Sequence, residues 1–340
     1  MAKRVTASEV AKALGISTMT VSRALNNRPN VDAETRERVR ETAKQLGYIP
    51  NHIAKSLVLK RTNTIGVVVP EITHSFFPEV VRGIEEVSHK AGYQIILSHS
   101  AENALREKEA IQTLASKQVD GILISTAQTV KDFQFYAQVM QMGLPLVFYD
   151  RCVKGIGASC VSIDDEDSAA LITEHLLQHG YYPIAHLSGP SAVLIGEARL
   201  QGFRKAHEKY NKTVLEALIV EAGFHEEGGF KAMKTILDRF EENLPRAVVA
   251  VNDPAAFGAM KAIQEKGLRI PEDIAIVGFS DDIRAELMQT PLTTIRQNAY
   301  EVGKKAAKKL IDLVQERTSD VEEIVVKGEL VVRKSCGCSG

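Results

Sequence analysis

Residues Thr6 to Leu25 read TASEVAKALGISTMTVSRAL. Thr6 to Glu9 matches a capping box, with a hydroxyl at the N-cap and a glutamate three residues on. Val10, Ala11 and Leu14 then repeat on one helical face, and Gly15 ends the helix. Only Ile16 separates that glycine from Ser17, which can cap a second helix, TMTVSRAL. In that helix Val21, Ala24 and Leu25 turn inward, while Thr18, Met19, Ser22 and Arg23 turn outward. Two short helices around a tight glycine turn make a helix-turn-helix. After the loop NNRPN (Asn26 to Asn30), Asp32 caps a third helix with Val39, Ala43 and Leu46 inward and Gly47 as its stop.

The charge pattern works outward from this head. The 340-residue chain has a formal net charge of −1, unevenly placed. Residues 1–61 carry 12 Lys and Arg against 5 Asp and Glu, a net of +7, and the remainder carries −8. A basic head on an acidic body points to a polyanion as the partner of the head. The second helix would lie in a DNA major groove and offer its first residues to base edges. The Ser17 and Thr20 hydroxyls and the helix dipole suit phosphate. A solvated basic surface, or a small bundle for protein contact, would carry the same caps, so physics alone leaves these alternatives open. Next comes PNHIAKSLVLKR (residues 50–61), basic and partly apolar and about two turns long. Isolated helices below ~12–15 residues are marginal in water.

From Thr64 the pattern changes. Strand candidates are IGVVV (65–69), YQIIL (93–97), GILIS (121–125), PLVFY (145–149) and VSI (161–163). Further on come PIAHL (183–187), LIVEA (218–222), AVVAV (247–251), IAIVGF (274–279) and TTI (293–295). Near-continuous Val/Ile/Leu strands alternating with helices predict parallel sheets covered on both faces. The count is too large for one ordinary sheet, and IGVVVPE and IAHLSGP open similar halves. We expect two doubly wound α/β halves in tandem, with a ligand cleft at the strand carboxyl ends. Residues just after strands should line it: Phe76, Phe77, Ser125, Thr126 and Asp150 from one half, Arg199, Phe224, Asn252, Asp253 and Ser280 to Asp282 from the other. Aromatic faces with charged and amide groups suit a sugar.

The chain shows no apolar run of 18 residues and no apolar leader, so neither a membrane span nor a signal peptide is expected. Cys152, Cys160, Cys336 and Cys338 are too few and scattered for a disulfide framework, which fits a reducing cytoplasm.

The stretch VTASEVAKALGISTMTVSRALNNRPNVDAETRERVRETAKQLGYIPNHIAKSL resembles the DNA-binding head of the lactose-repressor (LacI/GalR) family. The shared marks are the V-A-x-x-x-G-I-S-x-x-T-V-S-R core, the V-x-x-x-T-R-x-x-V helix, the G-Y-x-P-N turn and N-x-x-A-x-x-L. ARLQGF, VNDPAAFGAM and PEDIAIVGFSDD extend the resemblance through the body. It implies a homodimeric transcriptional repressor on a pseudo-palindromic operator, modulated by a small molecule, a sugar by preference, in the cleft of a periplasmic-binding-protein-like body. The expected boundaries are 1–49 for the head, 50–61 for a hinge helix and 62–340 for the body. The body halves are expected at 62–161 with 292–322, and 162–291 with 323–340. Thr18, Met19 and Arg23 take base-reading positions, with Ser17, Thr20, Ser22, Asn26, Asn30 and Tyr48 as phosphate contacts or structure. In the hinge, Asn51, Ala54, Lys55 and Leu57 would meet DNA, with Leu57 wedged into the minor groove. Two features depart from the family: Ser280 stands where an acidic residue often follows G-F, and SAVLIGEA before Arg199 is mostly apolar.

Other motifs carry less. His175 and His179 have helical i,i+4 spacing but no intervening ligand, and a helix surface is the expected reading. Cys336-Gly337-Cys338 is too tight for a four-ligand zinc site and reads as a frayed tail. Asp164 to Asp167 opens a helix where carboxylates favour the positive end. Phe77, Val80, Val81 and Ile84 could form part of a dimer seam or lie under the sheet. No heptad tail follows Ser335, so no zipper tetramer is expected. No phosphate loop, dinucleotide fingerprint or nucleophile elbow stands out, so neither an enzyme nor a cofactor or metal is expected. The rival readings are a solute-binding protein with an incidental basic head and an α/β enzyme of sugar metabolism.

Overall fold

The computed structural model describes residues 5–48, 61–191 and 193–338. The chain divides into two compact units, residues 1–62 and 63–340. The first contains α1 (Ala7–Leu14), α2 (Thr18–Leu25) and α3 (Ala33–Gln45). Each begins on the expected cap. Thr6 and Glu9 close the capping box, Ser17 accepts from the Thr20 amide, and Asp32 accepts from the Thr35 amide. Gly15 takes φ 65°, the left-handed turn that a side chain would oppose. Val10, Ala11, Val21, Ala24, Val39 and Ala43 make a small shared core, with Leu14 and Leu25 packed at its edge. Leu46, expected inward, is 40% exposed because α3 ends just before it.

The second unit holds two parallel sheets. The near sheet runs in the order β11-β5-β4-β3-β1-β2. These strands are β1 (Thr64–Val69), β2 (Gln94–His99), β3 (Gly121–Ile124), β4 (Leu146–Tyr149), β5 (Ser159–Ile163) and β11 (Glu323–Val326). The far sheet runs β7-β6-β8-β9, from β6 (Ile184–Ser188), β7 (Ile219–Glu221), β8 (Ala247–Ala250) and β9 (Ala275–Val277). All pairings within both sheets are parallel. In each half the chain leaves a central strand for one edge and returns on the other side. This puts a switch point between β1 and β3, and another between β6 and β8.

Strands β1, β3, β4, β8 and β9 are near-continuously apolar and buried because helices cover both faces, whereas the edge strands β2, β7 and β11 carry exposed positions. Ile65 and Val67 join a core that reaches α4 (Phe76–Lys90) and α11 (Ala299–Val314). Val68, Ile122, Ile124 and Phe148 face α5 (Ala104–Ser116) and α6 (Gln134–Gln141). The α4 and α11 backbones touch. A Cβ on Gly83 would stand 2.2 Å from the Tyr300 carbonyl oxygen, and one on Gly303 would stand 2.0 Å from that of Val80. Phe77, Val80 and Ile84 are consumed in this packing and lie under the sheet, so they are not free for a dimer seam.

The far half adds α7 (Asp165–Gln178), α8 (Leu194–Lys209), α9 (Glu226–Arg239) and α10 (Asp253–Glu265). One expected boundary is corrected. Glu323–Val326 pairs with β5 at the edge of the near sheet, whereas 323–340 was assigned to the far half. The chain then returns through β12 (Glu329–Val331), which pairs antiparallel with β10 (Thr294–Arg296).

The cysteines also differ from expectation. Cys152 and Cys160 are disulfide-bonded, with Cα atoms 5.8 Å apart across the short β4–β5 connection. Spacing alone did not expose this local pair. Cys336 is buried and bonded to Thr293, so the C-terminal CGC is packed rather than frayed.

Candidate functional site

The head offers a polar face on α2. Ser17, Thr18, Met19, Ser22, Arg23, Asn26 and Asn30 are exposed, and Thr20 is half-buried. Met19, an apolar side chain, is 61% exposed. The Ser17 and Thr20 hydroxyls lie 2.9 Å apart, and the Asn26 amide donates to the Ser22 carbonyl at 2.8 Å. Ser17, Thr20 and Asn26 therefore carry local structure, while Thr18, Met19 and Arg23 project from it. Tyr48 packs against the head core.

In the body, a cavity of about 50 Å³ lies between the halves. Loops after β1, β4, β7, β8 and β9 all reach it, as the switch-point rule requires. Asp150 sits immediately after β4 at φ 60°, and Ser280 takes φ 140° after β9. Such conformations are strained for side-chain-bearing residues and cluster at binding sites. Phe77 from the near half and Phe224 from the far half are the aromatic walls. Between them lies the Arg151 guanidinium, 5.9 Å from the first ring centre and 5.0 Å from the second. One of its terminal nitrogens, Nη1, donates to both Glu102 oxygens at 2.7 and 2.8 Å, and its Nε is buried without a hydrogen-bond partner, 3.8 Å from Asp150. Burial pushes the adjacent Asp150 carboxyl up to about 6, against the pull of Arg151.

Arg199 is held differently. It donates to Asp165 at 2.8 Å and to the Val251 carbonyl at 2.7 Å, and lies 3.8 Å over the Phe279 ring. Burial also raises the Asp165 carboxyl, opposed by Arg199. Two polar contacts cross the cleft mouth. His74 Nε2 lies 3.4 Å from His225 Nδ1, and the Ser75 amide donates to Asp282 at 3.4 Å. Burial lowers the His74 pKa below the ordinary imidazole value. Glu71 opposes the shift, and the charges of His225 and Arg284 add to it.

Residues 6–51 match the family model for bacterial regulatory proteins of the lacI family, and residues 173–336 match that for a periplasmic-binding-protein-like domain. The chain is 34% identical to the ribose operon repressor of Halalkalibacterium halodurans, over 97% of this chain and 96% of that one. The chain belongs to the lacI family of bacterial regulatory proteins. It is also 32% identical to the HTH-type transcriptional repressor PurR of Haemophilus influenzae, over 97% of this chain and 98% of that protein. The lac repressor dimer bound to operator and the anti-inducer ONPF aligns with a TM-score of 0.88 at 29% identity, covering 98% and 99% of the two chains. This lacI-family protein is thus a DNA-binding transcriptional regulator, whose body is built to hold an effector. Its relatives are transcriptional repressors, and no helix among the described residues is long and apolar enough to cross a membrane.

Of the residues anticipated at the cleft, Phe76, Phe77, Asp150, Arg199, Phe224, Asn252 and Ser280 line the cavity. Asp282 sits at the cleft mouth, and the others lie behind the cavity. Ser125 donates to Asp150 at 3.5 Å, and Thr126 donates to the Arg151 carbonyl at 3.3 Å. Asp253 is buried, accepting from Thr294 at 2.6 Å and from the Asp282 amide at 2.7 Å. Asp281 pairs with Arg296 and Arg333. Sequence reasoning missed Arg151, Glu102, His74, His225 and Gln297, all on the cavity wall. Arg151 was reachable, since it directly follows Asp150. The hinge positions Asn51, Ala54, Lys55 and Leu57 lie outside the described residues.

Proposed function

We propose that this regulator is a cytoplasmic homodimeric repressor without catalytic turnover. It reads a pseudo-palindromic operator and changes its grip when a sugar enters the body cleft. The observation that carries the effector reading is the Arg151 guanidinium standing between Phe77 and Phe224, beside Asp150 and Arg199. Two aromatic faces with paired cationic and anionic groups suit the C–H faces and hydroxyls of a sugar ring. The kinship with a ribose operon repressor supports the same class.

The cavity also supports a switch. Small-molecule sites usually measure ~300–1,000 Å³. At about 50 Å³, this one cannot take a monosaccharide while Arg151 fills the slot. A ligand must displace Arg151 or part the halves, and so binds the two arrangements unequally. Differential affinity of that kind is what moves an equilibrium, and its effect on operator affinity is reciprocal. The lac repressor dimer on its operator supports the homodimer and the DNA partner. In this reading Thr18, Met19 and Arg23 meet base edges. Asn51, Ala54, Lys55 and Leu57 meet the minor groove, as the family resemblance implies.

The test is a thermal-shift panel of sugars, sugar phosphates and nucleobases, followed by a mobility-shift assay on palindromic DNA with each hit. A sugar that raises the melting temperature should also change DNA affinity about tenfold or more. A nucleobase as the sole hit would replace the sugar reading. Indifference to palindromic DNA at low salt, with and without every hit, would overturn the repressor reading.

A further inference from the structure

We propose that Glu71, His74 and His225 form a transition-metal site of the zinc(II) class that bridges the two halves at the cleft mouth. Glu71 and His74 lie on the loop after β1 in the near half. His225 stands immediately before α9 in the far half. Their donor atoms all lie within 4.8 Å of one another. The 3.4 Å between His74 Nε2 and His225 Nδ1 is long for a hydrogen bond. Two nitrogens each ~2.0–2.1 Å from one tetrahedral ion stand about 3.3–3.4 Å apart. The spacing therefore suits a shared ion better than a shared proton.

The surroundings agree. The Ile72 and Thr73 amides both donate to Glu71 Oε1, which fixes the carboxylate before anything binds. Arg284, the nearby charge that would oppose a cation, is engaged by Asp282 and Glu226. Two imidazoles and a carboxylate select zinc, nickel or copper(II) over magnesium or calcium. All three residues also line the effector cavity, so a fourth coordination position would face it. Because the ligands come from both halves, a bound ion holds the cleft closed.

The decisive measurement is a zinc titration of the metal-stripped full chain by calorimetry and thermal denaturation, without effector or DNA. It succeeds or fails independently of the effector reading. One ion should bind with a dissociation constant of about 1–10 µM and raise the melting temperature. His74→Ala and His225→Ala should each weaken binding about 10- to 100-fold, and His225→Gln, which keeps the side-chain bulk, should do the same. His175, Cys336 and Cys338 form a second donor cluster, so Cys336→Ser with Cys338→Ser is the control and should leave the affinity unchanged. No zinc binding below about 100 µM would overturn the site. So would binding that survives both histidine substitutions, or that disappears only in the cysteine variant.

Discussion

Arg151 and Arg199 face one cavity from opposite halves and are held in opposite ways. Arg199 is spent inside its own half, on Asp165, the Val251 carbonyl and the Phe279 ring. Arg151 pairs with Glu102 and, through Nε at 3.8 Å, with Asp150 in the near half, but it also lays its guanidinium against Phe224 of the far half. One arginine is bound wholly within its own half, and the other also packs against the opposite half. The difference teaches that lining a pocket and responding to a ligand are separate properties. They are told apart by where the remaining bonds of each side chain go.

The largest effect should fall on Arg199. Arg199→Met leaves the Asp165 carboxylate buried and unpaired, which costs about 3–5 kcal/mol when one partner of a buried ion pair is removed. Urea denaturation measures it. A loss below about 1 kcal/mol would put Arg199 in the same class as Arg151 and dissolve the contrast.

How much of this was legible beforehand follows from range. Nine of the ten anticipated strands lie in the parallel sheets, where Val/Ile/Leu runs write them locally, the tenth pairs antiparallel with β12, and the head helices begin on the hydroxyl and carboxylate caps that announce them. EIVV at Glu323–Val326 was assigned to the wrong half because its partner, β5, lies about 160 residues away and no local period encodes a return path. At the cleft, position after a strand located the loops but not the side-chain direction. Asp150 and Ser280 point to the cavity, whereas Asp253 turns to Thr294 and Thr126 to the Arg151 carbonyl. The His74–His225 contact joins two loops about 150 residues apart and had no signal in either.

Besides Asp150 and Asp165 at the cleft, each half buries another raised carboxyl. In the near half, burial lifts Glu107 to about 7, although Tyr136 and the Ala127 amide bond to it. In the far half, burial lifts Asp253 to about 7 against the Thr294 and Asp282 bonds. A folded-state pKa above the unfolded one means that the folded protein binds more protons between the two values. The stability from these groups should therefore be full below about pH 4 and fall as pH rises towards 7. Each contributes on the order of 2–3 kcal/mol across that window. Glu107→Gln keeps both bonding positions and should remove the near-half share of the slope. An unchanged slope in denaturation from pH 4.5 to 7 would rule Glu107 out as its source.

Arg151 should show in binding more than in stability. Arg151→Ala removes a charge-assisted contact and should weaken effector affinity about 10- to 30-fold, or ~1.4–2 kcal/mol. Its stability loss should be smaller than that of Arg199→Met, because Glu102 retains some exposure and its Oε2 still accepts from the Gln128 amide, and Asp150 loses only a 3.8 Å ion pair while it still accepts from Ser125. Calorimetry with the effector found in the thermal-shift panel reads it. Tighter binding would mean that Arg151 only blocks the slot.

The smallest effects come from a matched pair of caps. Asn103 caps α5 in the near half, accepting from the Leu105 and Arg106 amides at 3.0 Å each. Asn252 caps α10 in the far half, accepting from the Ala255 amide at 2.9 Å. Each substitution by alanine should cost about 1 kcal/mol of stability. The pair then separates, because Asn252 also donates to the Phe224 carbonyl at 2.9 Å and lines the cavity. Asn252→Ala should loosen the aromatic wall and lower effector affinity several-fold, about 1 kcal/mol. Asn103→Ala, with the same local chemistry but no side-chain bond to a cavity-lining residue, should lower effector affinity less. Equal binding losses in the two variants would mean that affinity tracks global stability, and the wall built on Phe224 would lose its claim to a separate role.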